Sequence, residues 1–235
     1  VRVLDQAGPE GLALGVEAVR GSILDPAAVA RALEGVRTVY HLAAIAHLWA
    51  PDKAAFDWVN RQGAETVLRA AATAGTKRFV HCSTEAILMP KERRPGPIDE
   101  TAPPPLADMP GPYTRSKHRA EAAALAYVAR GLDVVVVNPT VPIGPGDRNR
   151  TPPSAMIALF LKGGSPFFLD CVLNLVDVRD VAEGLALAAE KGRPGERYIL
   201  GGENVALCDL LDRLHRLTGR PMPRRRIPPP VALAG

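Results

Sequence analysis

The chain has 235 residues, 47% of them hydrophobic and 23% charged, which is enough apolar content for a buried core and excludes a disordered chain. Its 29 basic and 25 acidic residues leave a net charge of +4, too small a surplus to argue for nucleic acid. Apolar stretches such as Val134–Val137 fall far short of the roughly 20 residues that cross a bilayer, which excludes a membrane-spanning helix.

Short β-branched runs alternate with longer Ala/Leu-rich segments. The strand pattern covers Val1–Asp5, Val16–Ile23, Thr38–Ala44, Arg78–Thr84, Val134–Pro139 and Arg197–Gly201. Helical spacing covers Pro26–Leu33, Asp57–Ala74, Tyr113–Arg130, Pro152–Lys162, Val178–Lys191 and Ala206–Thr218. Asp25 before Pro26 is a helix start, and Gly75 and Gly131 are helix stops. Continuous apolar strands such as Val134–Val137 belong in a parallel sheet covered on both faces, and the alternation predicts a doubly wound α/β fold. Two Pro-rich segments break the rhythm, Pro90–Pro112 and Pro139–Pro153, and a connection as long as the first is functional or mobile.

Cys82, Cys171 and Cys208 have no metal-ligand spacing and are odd in number, so they predict reduced thiols in a cytoplasmic protein and no metal site. Arg224–Arg226 reads as a solvated basic patch or as a surface for an anionic partner. The chain begins on a strand without Met and stops after Pro228–Pro230, from which a piece of a longer gene product is expected.

Three local patterns carry chemistry. Tyr113 and Lys117 are four residues apart at a helix start, so they share a face. A tyrosine titrates near ~10 and is a poor base, but a neighbouring cation lowers that value and lets it take or return a proton. An ordinary exposed pair has the same spacing. Ser83-Thr84 ends a strand, where open α/β sheets bind ligands, although a cap or turn is equally served by such residues. Asp5 ends the first strand, where a carboxylate accepts from both ribose hydroxyls of NAD and repels the 2′-phosphate of NADP.

Together with His41-Leu-Ala-Ala44, Asn60, Asn138-Pro-Thr-Val-Pro-Ile-Gly-Pro-Gly-Asp147, Leu173–Gly184 and Gly195–Asn204, these residues resemble the extended short-chain dehydrogenase/reductase family. Within it the chain looks most like the NAD-dependent epimerase/dehydratases, above all the hopanoid-associated sugar epimerases and dihydroflavonol-reductase-like proteins. The resemblance implies a Rossmann-like doubly wound sheet, with residues 1–139 as the dinucleotide-binding core. Residues 140–235 would supply a late core strand and helix and part of a smaller C-terminal substrate lobe.

By the same resemblance Tyr113 is the acid/base, and Lys117 lowers its pKa and holds the nicotinamide ribose. Thr84 bonds the reacting oxygen. Asp5 binds the adenosine ribose, with Ser22 and Ile23 near the adenine. Leu42, Ala43 and Ala44 run along the cofactor, Pro139 sits near the nicotinamide, and Asn60 braces the strand ends.

The chain departs from the family in lacking the first β-α unit with its G-x-x-G-x-x-G phosphate turn, a helix N-terminus that binds anions. In such sheets the first strand lies between the second and fourth, so its loss predicts a split sheet. Ser22 stands where the family usually has Asp.

His41 and His81 read as core histidines, and Trp49 and Trp58 as packing residues, with Trp49 a candidate for the substrate cleft. Arg148 and Arg150 are candidates for an anionic substrate or are simply solvated.

The implied function is oxidoreduction or epimerisation at a secondary alcohol of a sugar or nucleotide sugar, with NAD preferred over NADP and a homodimer possible. The rivals are a 3β-hydroxysteroid-type or other NAD-dependent alcohol dehydrogenase, a non-catalytic NAD-binding relative, and an inactive piece. A 4,6-dehydratase is disfavoured because Glu85-Ala86 lacks the acidic pair that follows Thr in those proteins.

Overall fold

The computed structural model describes residues 1–7, 11–90, 96–101, 104–163, 166–223 and 225–227. Parts of the Pro90–Pro112 connection, Arg224 of the basic cluster and Pro228–Pro230 lie outside the described residues. The chain divides into two units, Val1–Asn138 with Glu183–Ile199, and Pro139–Ala182 with Leu200–Gly235.

In the first unit β1 (Arg2–Asp5) pairs in parallel with β2 (Glu17–Arg20), and α1 (Pro26–Leu33) follows. Asp25 Oδ1 accepts from Ala27 N at 2.9 Å, so the Asp-Pro start forms the cap its sequence predicts. The Arg2 guanidinium donates to the carbonyls of Ala32 at 3.0 Å and Glu34 at 2.8 Å, closing the C-terminal end of α1.

Next come β3 (Thr38–His41), the one-turn α2 (Ala54–Phe56), a π-helical stretch over Asp57–Gly63, and α3 (Ala64–Thr73). The predicted Asp57–Ala74 helix therefore starts earlier and widens over its first turns. β4 (Arg78–Cys82), α4 (Pro112–Ala126) and β5 (Val134–Pro139) follow, with a 3₁₀ turn over Val128–Arg130 that Gly131 ends at φ +85°.

The second unit opens with β6 (Val141–Ile143), α5 (Pro152–Leu161), β7 (Phe167–Leu169) and β8 (Val172–Asp177). From there α6 (Val178–Lys191) runs on to β9 (Arg197–Leu200). β10 (Glu203–Ala206), α7 (Leu207–Thr218) and β11 (Arg225–Ile227) complete the described chain.

β8 lies between an antiparallel β10 and a parallel β6, and β11 pairs in parallel with β7. The sequence reading missed these short strands, because Pro142 in β6, Asn174 in β8, Glu203-Asn204 in β10 and Arg225-Arg226 in β11 break the apolar β-branched runs that mark a buried strand. At Gly202 a Cβ would sit 2.3 Å from the Leu175 carbonyl oxygen, so the turn between β9 and β10 needs glycine. Phe160, Val205, Leu207, Leu210 and Leu211 form this unit's core.

The strands of the first unit fall into two sheets, β1-β2 and β3-β4-β5-β9, and among the described residues β1 does not pair with β3. The expected split is therefore present. β3, β4 and β5 are parallel in register, with His41 beside His81 and Cys82 beside Val137. Val134–Val137 are fully buried, as a strand covered on both faces must be. The main core joins Val29 and Leu33 of α1 and Val67, Leu68 and Ala71 of α3 to Val39, Phe79 and Val134 of the sheet.

Two buried polar features interrupt this core. His41 and His81 stack with ring centroids 5.6 Å apart, and neither ring nitrogen of His81 has a hydrogen-bond partner. Burial, with the Lys117 ammonium adding to it, draws His41 down to about 3 and His81 well below the usual histidine value.

The second feature is an ion pair. Arg197 of β9 donates to Glu121 Oε1 of α4 at 2.9 Å, with Glu121 only 2% exposed. Glu121 Oε2 accepts from Asn138 Nδ2 of β5 at 3.0 Å. The same Nδ2 donates to the Thr84 carbonyl at 3.1 Å. Arg197 also donates to the Glu100 carbonyl, and the Glu100 carboxylate accepts from Ile199 N.

Two tests follow from these features. As pH falls through about 6.5 the unfolded chain takes up protons on both histidines while the folded chain does not. Stability is therefore complete above that value and is lost on acidification. The denaturant midpoint should decline between about pH 6.5 and pH 5, before surface carboxylates titrate. His41→Phe should flatten that decline; an unchanged slope would mean that the rings do not cause it. Glu121→Ala should lower stability by about 3–5 kcal/mol because it leaves Arg197 unmatched inside the fold. Glu121→Leu combined with Arg197→Met should regain most of that loss in the same denaturation experiment.

Candidate active site

Parallel strands present their C-terminal ends at one edge, and the chemistry-bearing residues collect there. Past β4 the chain stays extended through Thr84, at φ −159° and ψ 148°, and then enters a 3₁₀ turn over Glu85–Ile87. The Thr84 hydroxyl caps that turn, accepting from Ala86 N at 3.3 Å, and donates to Glu85 Oε2 at 2.9 Å. Thr84 is buried.

Helix α4 starts after Gly111, whose φ of +153° turns the chain into the helix, with Pro112 in its first turn. Tyr113, Lys117 and Glu121 then recur every four residues. Lys117 is buried, and its Nζ donates to the Cys82 carbonyl at 2.7 Å. The Tyr113 phenol lies near enough to Thr84, Glu85 and Cys82 for them to bear on its titration, and its ring meets the Phe56 ring edge-on, with centroids 6.4 Å apart. Thr84 and the Tyr113–Lys117 pair, far apart in sequence, therefore come together around the end of β4.

The bracing role read for Asn60 has a clear geometry. Its Oδ1 accepts from Ile45 N at 2.7 Å, and its Nδ2 donates to the Ile45 carbonyl at 3.2 Å and to Ser116 Oγ at 3.0 Å. Ser116 in turn donates to the Tyr113 carbonyl at 2.7 Å. Asn60 thus ties the loop after β3 to the first turn of α4, from the π-helical stretch that turns its side chain inward.

The electrostatics correct one expectation. Lys117 was expected to lower the Tyr113 pKa, yet Tyr113 is raised. Burial of the phenol is the main cause, and repulsion from the charge of Glu85 and from an ionised Cys82 adds to it. Lys117 is itself pulled down by burial, with its ammonium turned to a carbonyl. Burial likewise raises Glu85, against hydrogen bonds from Thr84 and the adjacent backbone.

The other predicted residues lie at the ends of β1, β2 and β3. Asp5 is exposed, and its Oδ1 accepts from Ala7 N at 2.8 Å. Ser22 Oγ accepts from Leu24 N at 3.1 Å and from Gln6 Nε2 at 3.2 Å, which joins the turns after β1 and β2. The Ile23 side chain packs inward, where a Cβ on Gly63 would come within 2.4 Å of its Cδ1. Leu42 and Ala43 are exposed and Ala44 is half-buried, just before the Ile45 clamped by Asn60. Pro139 is buried at the end of β5. Among the described residues no group of three or more His, Cys, Asp or Glu is placed to hold a metal.

Sequence reasoning passed over Glu85 and Glu121. The second had a signal, a lone acid four residues past Lys117 on an Ala-rich face. The first had none beyond standing next to Thr84.

The NAD dependent epimerase/dehydratase family model matches residues 1–201. A Synechocystis sp. protein provisionally named dihydroflavonol 4-reductase is 38% identical over 200 residues, covering 83% of this chain. The chain spans 58% of that relative's length. "Sterol demethylase protein B" of Methylococcus capsulatus is 34% identical over 230 residues, covering 97% of this chain and 68% of that protein. Among solved structures, the Thermus thermophilus UDP-glucose 4-epimerase in complex with NAD superposes with a TM-score of 0.83. It is 26% identical, with 97% of this chain and 78% of that one covered. The chain therefore belongs to the NAD dependent epimerase/dehydratase family, an enzyme family whose cofactor is NAD.

Proposed function

We propose that this chain carries the proton-transfer site for reversible oxidoreduction at a secondary alcohol carbon, with a sugar or nucleotide sugar as substrate. The observation that carries the reading is the meeting of Thr84, Tyr113 and Lys117 at the end of β4.

The residues present fit the cofactor at two points. The ammonium of Lys117 has three N–H groups and directs one at Cys82, which leaves donors for the vicinal hydroxyls of a ribose. Asp5 keeps its second carboxylate oxygen for the other ribose, with Ser22 and Ile23 in the neighbouring turn toward the adenine. Leu42, Ala43 and Ala44 offer exposed backbone between these points, and Pro139 stands at the next strand end. NAD, when bound, supplies the acceptor or donor of a hydride.

The chain's own part is the proton. In the oxidising direction Tyr113 must first be ionised, and the substrate hydroxyl gives its proton to the phenolate oxygen as the carbinol hydrogen leaves with its electron pair. In the reducing direction Tyr113 returns the proton to the carbonyl oxygen. Burial of the phenol, with the Glu85 charge adding to it, keeps that proton on Tyr113 through neutral pH. Free Cys82, Cys171 and Cys208 support a reducing, cytoplasmic setting.

A second reading takes an apolar polycyclic alcohol, as a 3β-hydroxysteroid-type dehydrogenase would. Leu42, Leu48, Trp49 and Met89 are exposed in the segments following β3 and β4, and such side chains suit an apolar ligand better than a sugar. Likeness to the sterol demethylase protein points the same way.

In the intact enzyme Tyr113→Phe should lower turnover by about 10²–10⁴-fold in both directions, and full activity in that variant would end this reading. The reduction rate should hold into alkaline pH and fall only above the ordinary tyrosine value of about 10. Calorimetric titration should show NAD⁺ binding in preference to NADP⁺, with Asp5→Ser narrowing the gap; equal affinities in the unaltered protein would remove Asp5 from the ribose site.

A further inference from the structure

We propose that Glu85 is a positioning residue that sets which way the Thr84 hydroxyl points its proton, and through it whether the site receives an alcohol or a carbonyl. The inference rests on the reading of Thr84 and Tyr113 as the groups at the reacting oxygen.

A hydroxyl has one proton and two lone pairs. The Thr84 proton is committed to Glu85 Oε2 at 2.9 Å, and one lone pair accepts from Ala86 N. What remains toward the site is a lone pair. In this state Thr84 accepts a hydrogen bond from a substrate alcohol or from the Tyr113 phenol, and it has nothing to donate to a carbonyl oxygen.

Uptake of a proton from water by the Glu85 carboxylate reverses the bond. Glu85 then donates to Thr84 Oγ1, both Thr84 lone pairs are filled by Glu85 and Ala86, and its proton is released toward the site. Such a donor binds a ketone and stabilises the negative charge that develops on its oxygen during reduction. The ionised form of Glu85 therefore suits the alcohol and the neutral form suits the carbonyl.

The surroundings let this carboxyl change state. Glu85 is held above the ordinary glutamate value by burial. The titratable and charged groups on the elements around it are Arg78, His81 and Cys82 of β4, Tyr113, Arg115, Lys117, His118, Arg119 and Glu121 of α4, Asp108 of the 3₁₀ turn at Leu106–Asp108, and Arg197 and Tyr198 of β9. Glu121 is matched by Arg197, and the Lys117 ammonium is turned to the Cys82 carbonyl. Tyr113 is the group that feels the Glu85 charge, which keeps the phenol protonated.

The test begins on the chain itself, without cofactor. With ¹³C-labelled glutamate, the Glu85 carboxyl resonance is identified by its loss in Glu85→Gln and followed through a pH titration. Thr84→Val keeps the side-chain shape and removes the donor that favours the charged form. It should move the Glu85 titration upward by roughly one pH unit. An unmoved titration would overturn the proposal.

A second readout is the tyrosinate absorbance, assigned by Tyr113→Phe: Glu85→Gln should lower the Tyr113 titration, and no change would count against the coupling. In the intact enzyme, KM for a ketone substrate should fall and KM for the alcohol should rise as pH drops through the Glu85 titration. Both dependences should be lost in Glu85→Gln. Flat profiles in an active enzyme would sink this inference and leave the proposed function standing. Loss of the proposed function itself is read separately, from Tyr113→Phe.

Discussion

A carboxylate that is almost wholly removed from water has to be matched on every side, and Glu121 meets that demand with partners from separate parts of the first unit. Arg197 of β9 takes one oxygen and Asn138 of β5 the other. Leaving either charge without its partner inside the fold is far more costly than losing a surface pair. The network is directional as well as strong, because the Asn138 amide also reaches the Thr84 carbonyl. One side chain on α4 therefore fixes the spacing between that helix, the strand end of β5 and the segment that carries Thr84.

Tyr113 and Lys117 inherit their placement from this anchor. They precede Glu121 on the same helical face by two turns and one, and a helix is stiff over that length. A second tie acts at the other end. Asn60, on the widened turn before α3, holds the loop after β3 and the Ser116 hydroxyl together. With the helix held at Ser116 and at Glu121, the phenol is brought to Thr84 by architecture rather than by its own few contacts. That is the order in which a site on a rigid element gains accuracy.

The interior around this site is unusually polar for a parallel sheet, and it stays workable because little of it is charged. His41 and His81 are held neutral, the Lys117 ammonium is turned to a carbonyl, and Glu121 is paired. The same low-dielectric surroundings explain why Tyr113 moves opposite to the simple expectation. A cation four residues away on a helix lowers a phenol's pKa when both face water. Here burial acts on the phenol directly, and the charge that reaches it is that of Glu85.

Much of this was legible in the chain because it is local. The Asp25-Pro26 start, the apolar strands and the four-residue spacing of Tyr113 and Lys117 depend on neighbours in sequence, and so does the strand end at Thr84. The short strands of the second unit were hidden, since proline and polar residues such as Pro142, Asn174 and Arg225 break up their apolar runs. The π-helical stretch before α3 was hidden too, because no residue type marks a π turn in the sequence.

The sequence by itself determined the parallel sheet and which residue types could move a proton, which follow from periodicity and spacing, and its motifs carried the resemblance to the family. Only the tertiary structure decided that Glu85 holds the Thr84 proton, that Glu121 is matched by Arg197 and Asn138, and that Tyr113 keeps its proton. Those outcomes depend on distance and burial between residues remote in the chain, and electrostatic energy in a low-dielectric interior changes too steeply with both to be read along one dimension.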